Sequence, residues 1–79
     1  MARWIIRIEN ASGMKIEPAK YKVTARTKLE AVIKAMMKDK RSWDTKKEAL
    51  ELWKDKEYLA DDDVYILGGD VVAIEVDKV

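Results

Sequence analysis

Apolar and polar residues alternate at both ends of this chain, and apolar residues recur every three or four positions in its middle. Residues 3–9 read as a strand, with Trp4, Ile6 and Ile8 on one face and Arg3, Ile5, Arg7 and Glu9 on the other. Asn10-Ala11-Ser12-Gly13 is turn chemistry, and residues 14–17 read as a short extended piece ended by Pro18. Residues 20–26 alternate again: Tyr21, Val23 and Ala25 point one way, and Lys20, Lys22, Thr24 and Arg26 point the other.

The period then changes. Thr27-Lys28-Leu29-Glu30 is a capping box, in which hydroxyl and carboxylate satisfy orphan amides at a helix start. Leu29, Val32, Ile33 and Met36 follow as a core-facing stripe, and Lys38, Lys40 and Arg41 suit the helix C-terminus. A second box, Thr45-Lys46-Lys47-Glu48, opens a helix expected to run to about residue 59. Ala49, Leu52, Trp53 and Leu59 form its inner side; Glu48, Glu51 and Asp55 form its outer stripe, and Asp61-Asp62-Asp63 breaks it. Residues 64–67 and 71–79 pair as a hairpin around Gly68-Gly69-Asp70, because adjacent glycines supply the positive φ of tight turns.

The expected fold is α+β in the order ββααββ, a single compact domain over residues 1–79. A four-stranded, mostly antiparallel sheet carries both helices on one face. The first and last strands are the most apolar and belong at the centre, and the lysine-rich second strand makes a protected edge. Trp4 and Trp53 fall on inward phases; Trp43 is expected to pack across the turn between the helices. A chain of 79 residues buries only about 60–65% of its unfolded surface, so its stability is modest.

Charge changes the picture. Residues 1–47 carry 13 Lys/Arg against 5 Asp/Glu, whereas residues 48–79 carry 3 against 10. Pleat geometry sends Arg3, Ile5, Arg7, Lys20, Lys22 and Arg26 to the face away from the helices, together with Val71 and Ala73. The third strand adds Val64 and Ile66 under a two-residue turn, or Tyr65 and Leu67 under a three-residue loop; Tyr65 is assigned to the face. A solvated antiparallel face should be polar throughout. An apolar patch with a charged rim marks a contact surface, for a protein partner or a second copy of the chain; the alternative is that the last strand is partly covered by the 10–19 loop or by the C-terminal tail. The same cations read alternatively as a nucleic-acid footprint along the first two strands. Against that, Trp4 and Tyr21 are phased inward, so stacking platforms are missing, and Glu75 and Asp77 sit where they would neutralise arginines.

Asp55, Glu57, Asp61, Asp62 and Asp63 crowd what is expected to be the second helix's end, forming an acidic docking cluster for a basic partner. They lack the spacing of a calcium loop, so no metal is expected. The chain contains no His and no Cys, which removes the commonest general base and the commonest activated nucleophile. Gly68-Gly69 joins two strands and cradles no phosphate. A non-catalytic domain follows, with no cofactor and no small-molecule substrate. No apolar run is long enough to span a membrane and no secretory h-region opens the chain, so a cytoplasmic protein is expected. In size, histidine- and cysteine-free composition and hairpin-helices-hairpin plan, the chain loosely resembles the small proteins that phages encode to block host machinery, including anti-CRISPR inhibitors. The resemblance is architectural; it implies an inhibitory protein contact and assigns no residue.

Overall fold

A computed structural model describes residues 1–10, 18–39, 43–61, 63–68 and 72–79. Its elements run β1 (Ala2–Asn10), β2 (Ala19–Ala25), α1 (Lys28–Asp39), α2 (Lys46–Lys54), β3 (Glu57–Leu59), β4 (Val64–Leu67) and β5 (Val72–Lys78). The fold is α+β as expected, but the sheet has five strands in the order β2-β1-β5-β4-β3, all pairs antiparallel. The first and last strands pair with each other inside the sheet, and β2 is an edge.

The extra strand corrects the second helix. α2 stops at Lys54, where the Asp55 N–H donates to the Glu51 carbonyl at 3.2 Å and the Lys56 N–H to the Trp53 carbonyl at 3.3 Å. Past Trp53 no apolar residue continues the buried stripe, and Glu57-Tyr58-Leu59 alternates instead, pairing with β4. Leu59 is therefore a strand residue and not part of a helical face. The break falls before Asp61 and Asp63, which lie in the connection from β3 to β4. There Asp63 takes φ +50, a left-handed conformation that Asp tolerates better than most residues.

Both capping boxes form on their donor side. The Glu30 and Glu48 amides donate to the Thr27 and Thr45 hydroxyl oxygens, each at 3.2 Å. On the sheet's helix side, Trp4, Ile6, Ile8, Val23, Val72 and Ile74 meet Val32, Ala35, Met36, Ala49 and Trp53 in one core. Each large side chain removed from water there contributes about 1.5–3 kcal/mol. Trp43 is buried between the helices, its indole N–H donating to the Met36 carbonyl, and the Trp4 indole donates to the Ala25 carbonyl at 3.1 Å. Both large rings thus bury a polar atom that is satisfied.

The turn expected at residues 10–13, the extended piece at 14–17 and the centre of the final hairpin lie outside the described residues. Of that hairpin, Gly68 holds φ +58, which only glycine adopts without strain, and Leu52 packs beside it. Leu67 opposes Val72 and Tyr65 opposes Ile74, and this register decides which β4 side chains face the helices.

Candidate functional site

Both helices lie on one side of the sheet, and among the described residues no helix covers the other side. Register places Arg3, Ile5, Arg7 and Glu9 of β1 on this open face with Lys20, Lys22 and Thr24 of β2. Ala73, Glu75 and Asp77 of β5, Val64 and Ile66 of β4, and Glu57 and Leu59 of β3 share it. The charge asymmetry along the chain is thereby laid out laterally: cations with Glu9 on β2 and β1, carboxylates beside Ala73 on β5, and apolar side chains with Glu57 on β4 and β3.

The apolar part is a strip. Leu59 opposes Val64, and Ile66 opposes Ala73, so four side chains run contiguously across β3, β4 and β5. Val64 and Ala73 retain only 8% and 6% of their surface, yet neither belongs to the helix-side core. Ile66 is half-buried beside them, and Leu59 keeps 37% of its surface in water. Ile5 lies half-buried between Lys22 and Asp77 in the register.

The boundary between cationic and apolar halves is Arg7. Its guanidinium lies 3.5 Å from Glu9 and 3.8 Å from Glu75. All three side chains are about a third exposed or more, so screening leaves each pair worth less than about 1 kcal/mol. The Arg7 Nε is buried without a hydrogen-bond partner among the described residues. Arg3, Lys20 and Lys22 are exposed and carry no ion pair among the described residues. Arg26 is exposed just past the end of β2.

Two assignments are corrected. Tyr65 points to the helix side, not to the open face. Its ring packs on Trp53 (centroids 4.8 Å apart) and on Tyr58 (4.9 Å), and its hydroxyl accepts from Lys28 Nζ at 2.8 Å. Stacking and cation contact, including Lys28 over the Tyr65 ring at 5.3 Å, favour that phase over exposure. The acidic cluster also changes place. Asp55 caps α2, Glu57 is on the open face of β3, and Asp61 and Asp63 flank the β3–β4 turn, so these groups do not crowd one helix end. Asp63 accepts from the Tyr58 hydroxyl at 2.8 Å. That hydrogen bond, with some desolvation and the charge of Asp63, raises the Tyr58 phenol above its ordinary value of 10.0. Val71 and Asp62 lie outside the described residues.

Among the described residues no three carboxylates gather at metal-binding spacing. Among them, too, no helix is long and apolar enough to cross a membrane. The strip on β3 and β4 was only half visible in the sequence, because Glu57-Tyr58-Leu59 continues a helical stretch without a break. The available signal was the aspartate run between two short stretches centred on Tyr58 and Tyr65, which are cross-strand partners. Comparison with protein-family models, with curated proteins and with solved structures returns no match.

Proposed function

We propose that this chain is a non-catalytic protein-binding domain whose contact surface is the open sheet face. The observation that carries the reading is the strip in which Leu59 and Ile66 keep surface in water around the buried Val64 and Ala73, with no helix over it among the described residues and the cations of β1 and β2 on the same face. An apolar centre with a charged rim is the anatomy of a protein interface. A sequence without His or Cys supports a binding role over a catalytic one. The occupant is a foreign protein or a second copy, and an inhibitory contact of the kind small phage proteins make is one form of it. The nucleic-acid alternative draws on Arg3, Lys20 and Lys22. It is the weaker reading because Trp4, Tyr21 and Tyr65 all face the helices and leave no base-stacking platform.

The test compares wild type with an Ile5→Lys/Ile66→Lys double variant, by light scattering of the pure proteins and by capture from native lysate. Ala73 is unsuited to the purpose, since it is already enclosed opposite Glu9. A dimer or a retained protein that the double variant loses, with its circular dichroism unchanged, is the expected result. A strict monomer that retains the same proteins in both forms contradicts the reading. Retention of nucleic acid, lost steeply between about 50 and 200 mM salt, replaces it with the alternative.

A further inference from the structure

The helical layer has a second surface that its packing on the sheet does not explain. At about 100° per residue, the apolar side chains of α1 span an arc of about 240°, from Ala31 round to Met37. One sheet covers less than that. Ala31, Val32, Ala35 and Met36 are fully buried, while Leu29, expected in the core, keeps 47% of its surface in water. Leu29, Ile33 and Met37 form an i, i+4, i+8 row at the margin of the core, in which Ile33 is buried, Met37 is half-buried against it and Leu29 stands exposed. Leu50 of α2, 37% exposed, faces the same hollow with Lys46 one turn before it.

These rows enclose a groove of about 730 Å³. Its floor is Leu29, Ile33, Met37 and Leu50, and its rim carries Lys34, Lys38 and Lys46 against a single acid, Glu30. Glu30 is already held by Lys34 at 3.3 Å, and Lys34 also donates to the Thr24 carbonyl at 2.7 Å. Lys38 and Lys46 have no ion pair among the described residues. From Leu29 to Met37 the groove follows a little over two turns of helix, about 12 Å.

We infer that this groove is a docking site for an acidic amphipathic helix of a protein partner. Its apolar row would sit on Leu29, Ile33, Met37 and Leu50, and its carboxylates would pair with Lys38 and Lys46. Charge selects this occupant: the rim is cationic, and a helix in a groove reads i, i+3, i+4, i+7 anchors against such a floor. The site is on the opposite side of the molecule from the open sheet face and does not depend on it.

The probe is a staple-constrained helical peptide with Leu at i, i+3, i+4 and i+7 and Glu elsewhere, beside a twin carrying Lys for Glu and vesicles of anionic lipid. The Glu peptide is expected to bind and to shift the methyl resonances of Leu29, Ile33, Met37 and Leu50. Lys38→Glu/Lys46→Glu should weaken it about tenfold or more, with both substituted positions exposed and the fold checked by circular dichroism. The Lys twin and the vesicles should leave those methyls unmoved. No shift with the Glu peptide at about millimolar concentration overturns the inference. So does equal binding of the twin, or a response to vesicles alone, which would make the groove a lipid contact.

Discussion

The two faces of one sheet differ in what their apolar residues do. On the helix side, Ile6, Ile8 and Ile74 are completely removed from water and join residues from every layer. On the open side, Ile5 and Ile66 are only half-buried, and what encloses Val64 and Ala73 is not the main core. Alternation along a strand therefore assigns side chains to faces, but it does not say which face holds the fold together. One face has helices to complete its packing; the other, among the described residues, has an apolar strip that is partly in water and cations without an ion pair.

That asymmetry can be broken by substitution. Truncating Trp43 or Ile6 to alanine should cost about 3–5 and about 2–5 kcal/mol respectively in urea unfolding, because each leaves a cavity in the packed core. The loss for Trp43 includes the partner of the Met36 carbonyl. Ile66→Ala on the open face should cost about 1 kcal/mol or less. Comparable costs at Ile6 and Ile66 would mean that both faces are structural.

Smaller effects sharpen the contrast at the ends of elements. Gly68→Ala forces a side chain into φ +58 and should cost about 1–2 kcal/mol. Thr45→Ala removes the α2 cap and should cost about 1 kcal/mol, read as a lower midpoint with an unchanged slope. Arg7→Ala, which breaks only screened pairs, should shift stability by less than about 1 kcal/mol while weakening capture of a partner. The smallest effect is spectroscopic. Ionising Tyr58 puts a phenolate beside Asp63, so in the folded protein Tyr58 should ionise above the ordinary value of 10.0. Asp63→Asn should bring that titration down; an unchanged curve would mean that the hydrogen bond is absent in solution.

Much of this was legible from the chain. Period-2 alternation located β1, β2 and the last strand with their faces, and two Thr-x-x-Glu boxes located both helix starts. The Lys-rich strand is an edge because lysines there discourage further pairing. What failed was local ambiguity resolved by long-range contacts. Glu57-Tyr58-Leu59 is too short to announce a strand, and only pairing with β4 makes it one. Tyr65 faced either way until the register of Leu67 with Val72 and the rings of Trp53 and Tyr58 fixed it. Leu29 fits a core stripe by spacing alone, and nothing in the spacing shows that the sheet is narrower than the helix's apolar arc.

The most direct test of the open face is methyl spectroscopy of the dilute monomer with a soluble paramagnetic agent. Ile5 and Ile66 should lose intensity strongly, while Ile6, Ile8 and Ile74 keep theirs. Equal protection of all five would show that flank sealed by the chain itself, leaving no surface there for a partner.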